Sequence, residues 1–231
     1  MKKIVRLTER DLVRLVKKVI NEATIKPFNF DEYLDKLKME EGNIESLQDI
    51  NNIFEGSSIY FSDFDEYFSN LKREEEKAVA PKELMLMGGV KFALYNTNLD
   101  KINVVVEPDM FLKYINSDMD KRGFYKFLRL VLRHESIHLQ QVSRMGKENY
   151  ILDASPTVNT KKYWQSPHEI MAYAQSLVDD LRDKDLSDNE IKDMLRNQSK
   201  IQSWIYNVHK KVLTPKQFNK FMSYVYEYLM S

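Results

Sequence analysis

Hydrophobic side chains in the middle of the chain recur at spacings of three and four residues, which is the period of an amphipathic helix. The longest such series comprises Phe124, Phe127, Leu128, Val131, Leu132, Leu139, Val142 and Met145. Gly146 follows this series directly, where helices commonly end. The pattern predicts a single long helix over residues 120 to 145.

The region before this helix contains two different patterns. Residues 30 to 78 show helical spacing with breaks at Gly42 and Gly56, which predicts several short acidic helices. From residue 90 to 95 the larger hydrophobic side chains instead alternate with other residues, and residues 102 to 106 form a second β-rich run. The turn-like residues 96 to 100 lie between them, so the sequence predicts an antiparallel hairpin in a small sheet.

The region after the long helix is predicted to be helical again. Residues 147 to 165 have an irregular pattern, and a helix then begins with Ser166 as N-cap and Pro167 at its first position. Two further capping boxes start at Ser187 and Thr214. The predicted fold is therefore α+β and mostly helical, with a small antiparallel sheet packed on the long helix.

The N-terminal residues 8 to 22 predict a basic amphipathic helix, because four hydrophobic residues form one stripe among lysines and arginines. Such a helix either packs on the body of its own protein or is a separable leader. Pro27 marks the end of this region. We therefore divide the chain into a leader, residues 1–22, an acidic helical region, residues 23–80, and a main domain, residues 81–231.

Composition restricts the chemistry. The 231 residues are 43% hydrophobic, which is enough for a substantial core. Basic and acidic side chains number 35 each, so the net charge argues neither for nor against a polyanionic partner. We expect no nucleic-acid partner. The absence of cysteine excludes disulfides and thiolate metal ligands. No stretch reaches eighteen apolar residues, so we expect no membrane association and a cytoplasmic location.

The long helix contains His134, Glu135 and His138 in the pattern HExxH. Histidines at i and i+4 lie on one helix face, where both imidazoles can bind one metal ion, and zinc is the expected ion. Glu135 is then placed to take a proton from a metal-activated water. The alternative is a pair of surface histidines on an amphipathic helix that binds no metal.

A catalytic zinc site usually has a third protein ligand. Glu169 is the first candidate, because it begins a second helix that a long loop can bring alongside the first. His168 and Asp153 are the second and third candidates. Glu169 also stands three residues after Ser166, so it could instead be the capping-box partner of that serine.

Four residues are candidates to donate a hydrogen bond to a developing oxyanion: His168, Tyr173, Tyr163 and Tyr150. His209 lies in a late helix beside two lysines, and we expect it to be an ordinary surface histidine.

The HExxH helix, together with Glu169, Ala172 and Tyr173, resembles the zincin metallopeptidases, and the glutamate helix is gluzincin-like. The resemblance implies a peptidase fold in which an edge strand holds an extended peptide substrate. Gln141 and Arg144 replace the glycine and histidine of the metzincin pattern, and the Asn-Glu-x-x-x-Asp motif of the thermolysin family is absent.

The N-terminus carries a second resemblance. Residues 1 to 12, together with Ile20-Asn21-Glu22-Ala23, are similar to the leaders of tailed-phage virion proteins that a prohead protease cleaves. The resemblance implies a phage-encoded protein that is cleaved after Glu22 and contacts phage head proteins through residues 1–22. It also implies the virion interior as an alternative to the host cytoplasm.

These observations give three hypotheses. The first is a zinc-dependent peptidase in which His134, His138 and Glu169 bind Zn²⁺ and Glu135 is the catalytic base, with a peptide or protein as substrate. The second is a non-catalytic virion or host-interaction protein that keeps the zincin fold. The third is an all-helical interaction protein with a small hairpin and no metal.

Overall fold

The computed structural model describes residues 29–70, 87–96, 99–145, 160–197 and 201–230. The predicted leader helix, its cleavage position after Glu22, the helix stop at Gly146, and the candidates Tyr150 and Asp153 lie outside the described residues.

The described elements comprise ten α-helices and three strands. Before the long helix, the order is α1 (Asp31–Met39), α2 (Leu47–Ile53), β1 (Ile59–Ser62), α3 (Phe64–Ser69), a short 3₁₀ turn (Met87–Gly89), β2 (Val90–Asn96), β3 (Lys101–Val106) and α4 (Pro108–Ile115). The long helix and those after it are α5 (Arg122–Met145), α6 (Thr160–Gln165), α7 (Pro167–Arg182), α8 (Asp188–Arg196), α9 (Trp204–Val212) and α10 (Pro215–Leu229). The fold is thus α+β and mostly helical, which confirms the predicted class.

The three strands form one mixed sheet in the order β1-β3-β2. β2 and β3 pair antiparallel, which confirms the predicted hairpin, while β1 pairs parallel to β3. β1 lies within the region predicted to contain only acidic helices, and that prediction was wrong for Ile59–Ser62. Ile59 and Phe61 of β1 are buried because pairing with β3 brings them into the core that also contains Ile50 of α2.

Both faces of the sheet are covered. Ile102 and Val104 of β3 pack in the same core as Leu128 and Leu132 of α5. Val105 points to the opposite face, where it packs with residues that include Tyr67 of α3. Successive side chains of β3 point to opposite faces because a strand has a two-residue period. The side chains of Ile102 and Val104 therefore pack α5 against the first face.

The helices α5 and α7 run antiparallel side by side. Near the start of α5, the ammonium group of Lys126 donates to the carbonyl oxygen of Asp183, which follows the end of α7. Near the end of α5, the side-chain amide of Gln141 donates to the carbonyl oxygen of His168, at the start of α7. Buried Ala172 lies on the intervening stretch of α7, where a small side chain permits close approach. The observed bounds of α5 confirm the predicted long helix.

The C-terminal helices pack on the other side of α7. Leu177 and Val178 of α7 share one core with Phe221 and Val225 of α10. The two predicted capping boxes are confirmed at the starts of α8 and α10, where each stabilises its helix by about 1 kcal/mol. The region predicted to be irregular contains the helix α6, so that prediction was wrong for residues 160–165.

Within the described ranges, no helix has both the length and the apolar character that crossing a membrane requires.

Candidate metal centre

The side chains of His134, His138 and Glu169 come together where α5 and α7 lie side by side. The Nε2 atoms of the two histidines are 3.3 Å apart. Glu169 Oε2 is 3.3 Å from Nε2 of His134, and its Oε1 is 3.4 Å from Nε2 of His138. The three side chains are 4 to 8% exposed, and each offers one ligand atom within 4.8 Å of the others. This buried group can hold a metal ion.

The ring of His134 is oriented by Ser176, one turn beyond Tyr173 on α7. Nδ1 of His134 lies 3.2 Å from Ser176 Oγ, and that hydroxyl donates to the carbonyl oxygen of Ala172. Because the hydroxyl proton is used in this second bond, the serine oxygen accepts from His134 Nδ1–H. Nε2 is therefore the atom that His134 presents to the centre of the group.

The ring of His138 is oriented in the same way by Gln141. Nδ1 of His138 lies 3.0 Å from Gln141 Oε1. The amide nitrogen of Gln141 donates to the carbonyl oxygen of His168 and to Sδ of Met171, which fixes the side-chain oxygen as the atom that faces His138. His138 therefore also turns Nε2 toward the centre, and Gln141 links this ligand to α7.

Each of the three measured contacts has the length expected between neighbouring ligands of a tetrahedral site, and the two carboxylate contacts use different oxygens of Glu169. Ligand atoms at the Zn–N and Zn–O bond lengths of about 2.0 to 2.1 Å stand roughly 3.3 to 3.4 Å apart in a tetrahedron. Glu169 Oε2 is buried and accepts no hydrogen bond among the described residues. Two imidazole nitrogens and a carboxylate that face one another at these distances require a cation between them.

A proton is the alternative cation. Burial lowers the pKa of His138, but the Glu169 carboxylate outweighs this effect, and the pKa of His138 rises to about 9. The pKa of Glu169 is lowered, because the two histidines outweigh the effect of its burial. A metal ion that enters the group therefore competes with a proton on His138.

Glu135 lies beside this group and is held from the sheet. Its Oε2 accepts a hydrogen bond of 2.9 Å from the backbone N–H of Tyr95, in the edge strand β2. Burial raises the pKa of Glu135, and the two histidines counteract this only in part. The sheet thus fixes one oxygen of the carboxylate and leaves Oε1 as the oxygen that can accept a proton.

The alternative role of Glu169 as a helix cap does not occur. Ser166 is the N-cap residue of α7, but its side chain accepts no capping hydrogen bond. The carboxylate of Glu169 points to the histidines of α5 instead. Of the other candidate ligands, His168 contributes a backbone carbonyl to Gln141 and is not in the group of metal-ligating side chains.

The two described tyrosine candidates lie next to Glu169. The ring of Tyr173 packs on that of His134, with 4.3 Å between the ring centroids. The negative charge of Glu169 contributes to raising the pKa values of both Tyr163 and Tyr173. Burial raises the pKa of Tyr173 above its ordinary value, so its hydroxyl keeps its proton.

His209 is not a surface residue, and that prediction was wrong. It is fully buried, its ring stacks on Phe221, and its Nδ1 donates to the carbonyl oxygen of Ile205 at 2.7 Å. Burial lowers the pKa of His209 to about 4, so the ring is neutral. The lysines that follow it in sequence point to solvent, while His209 falls on the inner face of α9.

Sequence reasoning missed three groups that support the site. Gln141 stands three residues after His138, and Ser176 stands seven after Glu169, so helical spacing places both on the metal-facing sides of their helices. The third group is the backbone N–H of Tyr95, for which no side-chain pattern gives a signal.

In comparisons with known proteins, no family model, no curated protein and no solved structure matches this chain.

Proposed function

We propose that this chain is a zinc-dependent peptidase that hydrolyses peptide bonds. The observation that carries the proposal is the buried group of His134, His138 and Glu169, with the carboxylate of Glu135 beside it. The two Nε2 atoms are 3.3 Å apart, and each lies 3.3 to 3.4 Å from a different oxygen of Glu169. Three protein ligands are typical of catalytic zinc sites, which keep a fourth position open for water or substrate, whereas structural sites have four protein ligands.

Zinc is the metal that this donor set fits best. Two imidazole nitrogens and one carboxylate oxygen are common zinc ligands, whereas magnesium and calcium prefer sites made of oxygen ligands alone. A zinc ion in the group supplies Lewis-acid polarisation of a substrate carbonyl and makes water acidic enough to act as a nucleophile near neutral pH.

Glu135 is the general base of the proposed reaction. Its Oε1 takes a proton from the attacking water, and the same carboxyl group then delivers that proton to the nitrogen of the leaving amine. The bond from Tyr95 N–H fixes the orientation of the carboxylate. Burial raises the pKa of Glu135 above its ordinary value, which favours a group that must both accept and donate a proton.

Tyr173 is the hydrogen-bond donor to the developing oxyanion in this proposal. Burial raises the pKa of Tyr173, so its hydroxyl keeps the proton that it would donate to the oxyanion. Its ring lies against His134, which places the residue at the metal centre. Such a donor stabilises charge that develops only in the transition state.

The test combines metal content with cleavage. Metal-free protein is reconstituted with one equivalent of zinc and incubated with an unstructured protein such as denatured casein, and mass spectrometry identifies new peptide termini. We expect cleavage by the zinc-loaded wild type, and a rate about 10² to 10⁴ times lower for Glu135→Gln at unchanged zinc content.

Glu32→Gln is the matched control, because it removes a carboxylate from an exposed pair with Lys36 on α1. Its cleavage rate should equal that of the wild type. Absence of new termini with zinc-loaded wild type, or equal rates for Glu135→Gln and the control, would contradict the proposal.

A second candidate function is a non-catalytic metalloprotein that acts by binding, as a virion or host-interaction protein. The observation that favours it is the burial of the site: Glu135 is 8% exposed, and one of its oxygens already has a backbone partner. This candidate expects bound zinc that stabilises the fold in both wild type and Glu135→Gln, with no cleavage by either.

Phage origin is a separate proposal that depends on residues 1–23 alone. If this proposal is right, protein recovered from virions begins at Ala23, because a prohead protease has cleaved after Glu22. Intact-mass measurement decides this, and a mass that includes Met1 would exclude cleavage of the leader.

A further inference from the structure

Both tryptophans of the chain lie beside the metal centre. Trp164 of α6 packs on Tyr173 with 4.6 Å between ring centroids, and Trp204 of α9 lies 6.4 Å from each of these two rings. Tyr173 in turn packs on His134. We call the three side chains Trp164, Tyr173 and Trp204 the aromatic wall. It forms a continuous path of rings from the protein surface to a candidate metal ligand.

The outer end of the aromatic wall is open to solvent. Trp204 is 58% exposed, whereas Trp164 and Tyr173 are partly buried. An exposed indole ring costs free energy in water unless a ligand covers it, and tryptophan is among the side chains that most often dominate binding. Since the inner end touches His134, ring contacts connect a ligand on Trp204 with the metal centre.

The two helices that carry the tryptophans are positively charged, since α6 contains Lys161 and Lys162, α9 contains Lys210 and Lys211, and neither contains an acidic residue. Between Ala154 and Val178 the only acidic residue is Glu169, which belongs to the metal centre, and no acidic residue occurs between Met194 and Tyr226. Lys161 stands three residues before Trp164, and Lys211 stands seven after Trp204, so each shares a helix face with one of the two tryptophans. Both lysines are exposed.

We propose that the aromatic wall is the substrate-recognition surface of the metal centre, and that it binds a peptide segment with an aromatic side chain flanked by acidic residues. The ring of the peptide stacks on Trp204 and Trp164, and its carboxylates face Lys161 and Lys211. The inference rests on the proposed function for the identity of the ligand as a peptide.

The test measures binding separately from cleavage, with zinc-loaded Glu135→Gln protein and calorimetric titration. The probe is the blocked peptide Asp-Glu-Ala-Phe-Ala-Glu-Asp. One matched peptide replaces phenylalanine by alanine, and another replaces the four acidic residues by their amides. We expect the probe to bind about tenfold more tightly than the alanine peptide. Because the probe contains no tryptophan, a change in protein emission on binding reports directly on Trp164 and Trp204.

Two variants in the same background locate the binding surface. Trp204→Ala should weaken binding of the probe about tenfold and remove the preference for phenylalanine, at unchanged zinc content. Met119→Ala is the matched control, because Met119 is 57% exposed and lies before α5, away from the aromatic wall. Lys161→Gln with Lys211→Gln should weaken binding of the acidic probe several-fold and reduce its salt dependence, without affecting the amide peptide.

Three outcomes would overturn the inference. These are equal binding of the phenylalanine and alanine peptides, no binding of any peptide, and tighter, Trp204-dependent binding of a single-stranded oligonucleotide. The proposed function fails separately: Trp204-dependent binding with no cleavage by wild type supports the aromatic wall and contradicts the peptidase. Cleavage whose rate is unaffected by Trp204→Ala contradicts the aromatic wall and supports the peptidase.

Discussion

Two polar clusters bridge the same pair of antiparallel helices, and they differ in how their charges are compensated. In the first, Arg133 of α5 pairs with Asp179 of α7 at 3.0 Å and with Asp31 of α1 at 3.5 Å, and Arg129 pairs with Asp31 at 2.7 Å. In the second, one residue further along α5, the histidines face a carboxylate with no cationic side chain among the metal-ligating group.

The difference separates a cluster that holds helices together from one that requires a ligand. The chain itself supplies both signs of charge to the arginine cluster, which ties the acidic α1 to α5 and α7. The metal group instead presents two imidazole nitrogens and a carboxylate to one point, where only a proton or a metal ion can compensate them. A buried polar group therefore marks a candidate functional site when the chain supplies no side chain of opposite charge to it.

The rise in melting temperature on zinc binding should differ most between variants of the two clusters. Free zinc at 1,000 times its dissociation constant stabilises a folded protein by about 4 kcal/mol, which raises the melting temperature by about 8 to 16 °C for a chain of this size. Calorimetry should show this rise for wild type and Arg133→Met, and none for His138→Ala or Glu169→Gln. A full rise in Glu169→Gln would mean that zinc binds elsewhere.

Breaking the arginine cluster should cost stability without affecting the metal. Asp179 is 3% exposed, and in Arg133→Met it loses its closest cationic partner. We expect a loss of about 3 kcal/mol in the unfolding free energy of the metal-free protein, measured by urea titration. The double variant Arg133→Met, Asp179→Leu should recover most of this loss. Zinc stoichiometry should be unchanged in both, and a coupled loss of zinc would remove the distinction between the clusters.

Each cluster contains one buried glutamine, and replacing these two residues should have different, smaller effects on zinc affinity. Gln141 orients His138, and Gln175 donates to Asp179 Oδ1 at 3.1 Å; both are 3% exposed. Gln141→Leu should lower zinc affinity about 10- to 100-fold, because the ring of His138 loses the acceptor that fixes it. Gln175→Leu should leave the affinity unchanged. Competition with a chromophoric chelator measures both, and equal effects would contradict the role of Gln141.

The smallest expected effect is the release of a proton from His138 when zinc binds. The pKa of His138 is about 9 in the absence of a metal ion, above its ordinary value of 6.5, so this ring is protonated at pH 7.5. Zinc binding then releases about one proton, and raising the pH removes the competitor, so affinity rises about tenfold per unit up to about pH 9. Titration calorimetry in buffers of different ionisation enthalpy counts the protons. A count near zero at pH 7.5 would contradict the protonation of His138.

The sequence predicted the parts of this protein that depend on local geometry. The spacing of His134 and His138 puts both rings on one face of α5 because a helix has 3.6 residues per turn. The start of α7 at Pro167 and the capping boxes at Ser187 and Thr214 follow from contacts within four residues. Each of these features needs only the residues of one helix.

Only the tertiary structure decided the features that join distant parts of the chain. It pairs β1 parallel to β3 and so leaves β2 at the edge, where the N–H of Tyr95 meets Glu135, forty residues away. It turns Glu169 to the histidines rather than to Ser166, and it buries His209. Strand pairing and the burial of a single side chain depend on which distant elements pack together. The spacing of residues within one element does not determine this packing.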